Sequence, residues 1–199
     1  MPKPKRKLEE LRRILIDGTI QLIAREGLDK TTTRQLGIDT NLNQGYIYQC
    51  FVDKEDLLAK TFASLDDELA LTATTSLSLL QVEGIDFELR CWAYFHAIWK
   101  FLLGNKDKCL AFIQYYYSPY FAKYSAEDHK KRFRPLVEKL GSAFREEANV
   151  RMILHYDLTT MLDFAVKVFG GEVPNDDDTA EHVFRLVYAS TQQYFKEQE

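Results

Sequence analysis

Apolar residues recur at the three- and four-residue spacing of an α-helix through nearly the whole of this 199-residue chain. The first stripe contains Leu11, Leu15, Leu22 and Ile23 and stops at Gly27, a residue type that commonly ends helices. Alternating apolar and polar runs are rare, and turn residues do not recur at the spacing of β-hairpins. The pattern therefore predicts an all-α protein of about nine helices.

The composition fits a folded, water-exposed protein. Apolar residues make up 46% of the chain and charged residues 28%, which is typical of globular domains. No apolar run approaches the roughly 18 to 20 residues that cross a bilayer. The basic N-terminus is not followed by an apolar stretch of signal-peptide length. We therefore expect a cytoplasmic location.

Residue types that carry catalysis or bind metals are not arranged in known motifs. The three cysteines are widely spaced and odd in number, which argues against a disulfide framework or a zinc site. The four histidines form no HExxH or HxH pattern, and Gly-rich phosphate loops and GxSxG are absent from the sequence. The sequence therefore predicts a protein that is not an enzyme and has no catalytic residues, metal or cofactor.

Charge is distributed unequally along the chain. Residues 1–54 contain ten Lys or Arg and seven Asp or Glu, a net charge of +3, whereas the rest contains 16 and 23, a net charge of −7. A basic N-terminal part on an acidic body indicates that only the N-terminal part meets a polyanion. A solvated, frayed terminus explains the basic residues equally well.

The segment TTTRQLGIDTNLNQGYIYQCF, residues 31–51, contains two short helical patterns separated by a turn. Thr31 or Thr32 is a suitable N-cap for the first helix. Asn41 tolerates the left-handed backbone of a tight turn, and Asn43 or Asn41 is suited to cap the second helix. Two short helices joined in this way are typical of the helix-turn-helix, whose second helix enters the major groove of DNA.

The distribution of apolar and polar side chains over the two short helices supports this interpretation. Leu36, Leu42, Ile47 and Phe51 form apolar inner faces that are predicted to pack on the first helix of the chain. The outer face is polar, and its amide side chains, Asn43, Gln44 and Gln49, have the donor and acceptor pair that binds the adenine edge.

These residues resemble the N-terminal domain of the TetR family of transcriptional regulators. The resemblance comprises Leu15-Ile16 and Gly18 in the first helix, Thr31 to Arg34, then Gly45, Tyr48 and Phe51, and finally Lys54 to Leu57. It covers roughly the first 60 residues, with no gap between Arg34 and Phe51. The sequence departs from the family at four positions, which bear on base preference more than on fold: Gly37, Asn41, Gln44 and Tyr46.

The resemblance implies roles for individual side chains. Thr33, Tyr48 and Lys54 are expected to hold DNA phosphates, which positions the protein without specifying sequence. Gly45 is expected to let the backbone come close to the duplex.

Three roles remain open in the sequence. Tyr46 touches a thymine methyl or a phosphate, or packs along its own helix. Arg34 reaches a phosphate or pairs with Asp39. Lys5, Arg6 and Lys7 form a DNA-binding arm or a mobile tail.

The resemblance also implies a division into a helix-turn-helix domain at residues 1–54 and a helical effector-binding and dimerisation domain at residues 55–199. Aromatic and polar side chains concentrate in two consecutive helical segments of the second domain, where they suit an apolar or aromatic ligand or form plain core. These candidates are Trp92, Phe95, His96, Trp99, Phe112, Gln114, Tyr115, Tyr116 and Phe121.

The last two helical segments carry apolar faces, which in the family meet those of a second copy across a twofold axis. The alternative is that these faces are buried within one chain. The expected function is a ligand-responsive regulator, most simply a homodimeric repressor that a small apolar or aromatic effector releases from a palindromic operator on double-stranded DNA. An activator, a regulator that needs its ligand to bind DNA and a protein-binding helical adaptor are the alternatives.

Overall fold

The predicted helical periodicity produces ten α-helices and two short 3-10 helices in the computed structural model, which describes residues 5–196. Within these residues, β-structure is confined to one isolated bridge between Phe144 and Phe195. The prediction of an all-α fold is therefore confirmed. No helix of the described part of the chain is both long and apolar enough to cross a membrane.

The ends of the first four helices are fixed by local caps and by a glycine. Helix α1 ends where Gly27 takes a φ of 94°, and Asp53 accepts a hydrogen bond from the backbone N–H of Asp56 at the start of α4. The Asp56 carboxylate in turn accepts from the N–H of Val52, which completes a reciprocal cap. The bounds are α1 Lys5–Glu26, α2 Thr33–Asp39, α3 Gly45–Cys50 and α4 Lys54–Ser76, followed by a 3-10 turn at Leu77–Gln81.

Three features mark the later helices. A short helix follows Ser118. The next helix continues through Pro135 without a break and ends at Gly141. The last α-helix ends at Thr191 and passes into a 3-10 turn. The bounds are α5 Phe87–Gly104, α6 Lys106–Tyr116, α7 Pro119–Tyr124, α8 Ala126–Gly141, α9 Val150–Gly170 and α10 Asp177–Thr191.

The chain forms two compact units. Unit 1 comprises residues 1–67 and 110–129, and unit 2 comprises residues 68–109 and 130–199. Helices α4, α6 and α8 therefore each contribute to both units. The domain boundary expected at residue 54 lies inside unit 1.

The core of unit 1 brings α1 to α4 together around side chains at the predicted helical spacing. Leu15, Leu22, Leu36 and Ile47 are completely buried, and Phe51 and Leu57 close the cluster. Gly18 allows α2 to approach α1, since a Cβ at this position would lie 2.5 Å from the Thr40 methyl. The inner faces predicted for the two short helices are thus confirmed.

Candidate nucleic-acid interface and ligand cavity

Three local hydrogen bonds fix α2, the turn after it and the start of α3. Thr32 caps α2 by accepting from the Gln35 N–H at 3.1 Å. Asn41 takes the predicted left-handed conformation, with a φ of 53°, and the next N–H, that of Leu42, donates to the Gly37 carbonyl at 2.9 Å. The Asn43 side chain accepts from the Gly45 N–H at 2.9 Å, so it caps α3 while remaining exposed.

Gly37 is required by this turn. A Cβ on Gly37 would lie 2.9 Å from the carbonyl oxygen of Leu42, closer than real Cβ atoms approach. Helix propensity alone would count glycine at this position as unfavourable. The structure shows that the missing side chain lets the backbone leading into α3 pass directly over α2.

We expect Gly37→Ala to lower the free energy of unfolding by about 1 to 3 kcal/mol, although alanine has the higher helix propensity by about 1 kcal/mol. The clash is with backbone, which cannot rotate away as a side chain would. Gly104→Ala is the matched control, since nothing lies within 4 Å of its added Cβ in helix α5. Urea denaturation of both variants measures the difference, and equal stability would contradict the packing described for Gly37.

The candidate DNA-binding side chains lie on the outer side of the α2–α3 unit and at the start of α4. Tyr48 is 59% exposed, whereas its neighbour Ile47 is completely buried. Among the other candidates, Arg34, Asn43, Gln44, Gly45 and Gln49 are exposed, and Thr33, Tyr46 and Lys54 are half-buried. We call these nine residues the outer surface.

The Asp39 carboxylate is bonded to side chains other than Arg34. The Asp39 carboxylate accepts hydrogen bonds from the guanidinium of Arg25 and from the Gln35 amide, the latter at 2.8 Å. The Arg25 guanidinium, followed by Gln35, holds the pKa of Asp39 below its ordinary value. Arg34 remains exposed on α2. For the proposed basic arm, Lys7 is exposed, while the side chains of Lys5 and Arg6 lie outside the described residues.

Four of the aromatic ligand candidates belong to one aromatic cluster with Phe62 in unit 1. The Phe62 ring centroid lies 5.1 Å from that of Phe112, 4.8 Å from Tyr115 and 5.4 Å from Phe121. Tyr116 contacts Phe121, with centroids 4.4 Å apart. Their mutual packing is that of a hydrophobic core.

Gln114 joins α6 to the end of α1. Its amide oxygen accepts from the Leu28 N–H at 2.9 Å, and its amide nitrogen donates to the Ile23 carbonyl at 3.2 Å. Both polar groups of the amide are therefore engaged by the protein backbone. Gln114, which the sequence offers as a polar ligand contact, thus ties α6 to the C-terminal end of α1.

The remaining candidates belong to α5, in unit 2. Trp92 stacks on His96, with ring centroids 5.0 Å apart, and Trp99 is 2% exposed. Phe95 packs against Phe184 of α10 at 5.5 Å.

Unit 2 contains a cavity of about 420 Å³, formed by α5, α9 and α10 together with segments near residues 77–81, 139–144 and 195–196. Of the nine ligand candidates, Phe95 lines it. The sequence prediction missed the other lining residues, most of which are apolar: Leu77, Leu80, Phe87, Leu140, Phe144, Leu154, Phe184, Val187, Tyr188 and Phe195.

The cavity also has a small polar group at its wall. Asp157 accepts a hydrogen bond from the Thr191 hydroxyl at 3.0 Å. Burial raises the pKa of Asp157 to about 7, against the opposing effect of the Thr191 bond. Burial also raises the pKa of Cys91 to about 12 and that of Tyr94 well above its ordinary value. The sequence contains one indication of this polar group, because Asp157 interrupts a row of apolar residues at helical spacing.

Comparisons with known proteins agree with this geometry. Residues 15–61 match the model of the bacterial regulatory proteins of the tetR family. No curated protein sequence matches the chain.

Solved structures share the fold along most of the chain. A TetR family transcription regulator from Marinobacter aquaeolei has 16% identity and a TM-score of 0.77, with coverage of 94% of this chain and 98% of the other. A TetR-family regulator from Haemophilus influenzae has 20% identity, a TM-score of 0.68 and coverage of 94% and 98%. A fatty acid degradation regulator from Bacillus halodurans has 16% identity, a TM-score of 0.64 and coverage of 94% and 96%.

The solved structures show the fold, and the match at residues 15–61 places the exposed α3 within a known type of DNA-binding domain. The chain therefore has a tetR-type helix-turn-helix domain at residues 15–61, within a fold that it shares with solved TetR-family regulators.

Proposed function

We propose that this regulator is a homodimeric, ligand-responsive repressor, which binds a palindromic operator and leaves it when a small effector enters the cavity of unit 2. The observation that carries the proposal is the polar side of α3, which belongs to the outer surface. The opposite side of this helix is anchored in the core by the completely buried Ile47. A helix held in this way presents amides and hydroxyls to a groove while its apolar side secures it to the domain.

Roles on the outer surface follow from its chemistry. Gln44 and Gln49 are placed to read adenine edges, whereas the hydroxyls of Thr33 and Tyr48 and the ammonium of Lys54 hold phosphates. Tyr46 is only half-exposed, which favours packing along α3 with its ring edge toward the duplex.

Self-association through α9 and α10 would give two such surfaces. On these helices Met152 is 64% exposed, Tyr156 47% and Leu186 54%. Val183, Phe184 and Val187 are buried within the chain, so only part of the predicted apolar face remains for a partner. A twofold pair would read half-sites about 34 to 36 Å apart or a multiple of that distance.

The cavity supports control by a ligand. Its volume of about 420 Å³ and its mainly apolar lining with a few polar groups suit a small molecule. An effector that binds preferentially when the two recognition helices are wrongly spaced would shift the population to that state and lower operator affinity.

Two substitutions test the outer surface. Gln44→Ala removes a bidentate base contact from each half-site, so we expect operator affinity to fall roughly tenfold to a hundredfold. Tyr48→Phe removes one phosphate hydrogen bond per protomer, and about a tenfold loss is expected. Fluorescence anisotropy with a duplex selected from a random pool measures both.

Tyr117→Phe is the matched control, because Tyr117 is exposed in the α6–α7 connection and lies outside the outer surface. It should bind as the wild type does. If Gln44→Ala and Tyr48→Phe also bind as the wild type does, α3 is not the recognition helix.

A further inference from the structure

The cavity of unit 2 holds a carboxyl group among aromatic rings. Phe95, Phe144, Phe184, Tyr188 and Phe195 all line it together with Asp157. Burying a carboxylate away from water costs several kcal/mol unless hydrogen bonds or an opposite charge compensate. The bond that the structure gives Asp157 is the one from the neutral Thr191 hydroxyl.

Two groups of α5 lie near Asp157. Burial is the main cause that raises the pKa of Tyr94 and of Cys91, and the Asp157 charge adds to it in both. Among the described residues Asp157 forms no ion pair. Its pKa of about 7, raised by burial, leaves the carboxyl ionised part of the time at neutral pH.

The three cations in the cavity wall form no ion pair with Asp157. Arg90 donates from Nη1 to the Leu80 carbonyl at 2.9 Å, and its guanidinium carbon lies 5.2 Å from the Phe87 ring centroid. Its Nε is buried without a hydrogen-bond acceptor among the described residues. Lys139 and Lys196 line the cavity but are exposed.

We propose that the cavity binds a small hydrophobic amine in its protonated form, with the ammonium on the Asp157 carboxylate and the apolar body among the rings. Aromatic faces attract organic cations, so the lining and the carboxylate favour the same ligand class. The net charge of −7 outside residues 1–54 also favours cations over carboxylates. This inference rests on the proposed function, in which the cavity is the effector site.

A matched series of probes tests the ligand class without DNA. Phenylbutylamine, phenylbutanol and phenylbutanoate share one apolar body and differ in charge. Calorimetric titration at neutral pH should show the amine binding roughly tenfold to a hundredfold more tightly than the alcohol, and the carboxylate binding weakest. In the wild type, the affinity for the amine should also rise as the pH is raised towards about 7, by up to tenfold per pH unit, because Asp157 ionises.

Asp157→Asn should remove the preference for the amine, because the amide still accepts from Thr191 but carries no charge. Asp163→Asn, exposed on the same helix, is the control and should keep the preference. Circular dichroism establishes that both variants are folded. Absence of amine binding, tighter binding of the carboxylate, or an unchanged preference in Asp157→Asn would overturn the proposal.

Anisotropy with the selected duplex separates this inference from the proposed function. Amine binding that depends on Asp157 and weakens the duplex complex supports both. Amine binding that depends on Asp157 but leaves duplex affinity unchanged supports the ligand class and overturns the release of the operator by an effector in this cavity.

Discussion

Raising the salt concentration from about 50 to about 200 mM is expected to weaken duplex binding about a hundredfold. Each cation that contacts a phosphate releases condensed counterions, so the logarithm of affinity falls in proportion to the number of such contacts. We propose that Arg34, like Lys54, contacts a phosphate, and the two side chains would supply about four contacts in a symmetric pair of protomers. Anisotropy across a salt series measures the slope.

Lys54→Gln should reduce the magnitude of that slope by about two, because each protomer loses one phosphate contact. Lys100→Gln, exposed in α5, is the matched control and should leave the slope unchanged. Duplex affinity that does not respond to salt would rule out the assignment of Arg34 and Lys54 to phosphates. It would favour the alternative of a helical adaptor that binds protein.

Replacing Asp157 with asparagine is expected to change how stability depends on pH. The folded pKa of Asp157, about 7, lies above its ordinary value of 3.8, so folding favours the protonated form. Its contribution is fully present below about pH 4 and is lost as the pH rises to about 7. Relative to Asp157→Asn, the wild type should therefore lose about 2 to 4 kcal/mol of unfolding free energy across this range.

Urea denaturation of both proteins at several pH values gives this difference directly, since titration of all other groups cancels to a first approximation. Asp163→Asn should follow the wild type at every pH, because its carboxylate is exposed. A difference between wild type and Asp157→Asn that stays constant with pH would show that Asp157 is hydrated.

The helix-turn-helix was predictable because its determinants are local. The Thr32 cap, the left-handed Asn41 and the reciprocal cap between Val52 and Asp56 each depend on residues at most four apart. Such signals are fully present in a single stretch of sequence. The exposure of Tyr48 beside buried Ile47 follows from the same helical spacing.

The cavity of unit 2 was not predictable in this way. Asp157 and Thr191 are 34 residues apart, and the cavity wall also needs α5 and the segment around Phe144. Aromatic content drew attention to residues such as Phe112 and Tyr115, which pack as core around Phe62. Composition shows which segments are rich in apolar side chains. Where a cavity is left between them depends on how helices distant in the sequence pack together.

Gly37 illustrates a different limit. From propensity alone its presence in α2 is a defect, yet the backbone oxygen of Leu42 occupies the space that a Cβ would need. At this position helix propensity favours alanine, whereas the close approach of the Leu42 carbonyl requires glycine, and the close approach prevails. The sequence taken alone shows only the helix propensity.

The most direct measurement is selection of bound duplexes from a random pool, followed by sedimentation of the protein with the enriched sequence. Docking of α3 in the major groove by a symmetric pair predicts enriched inverted repeats whose half-site centres are about 10 base pairs apart or a multiple of that spacing, with two protomers per duplex or a multiple of two. A monomeric protein that enriches no sequence and leaves every duplex unbound would contradict it.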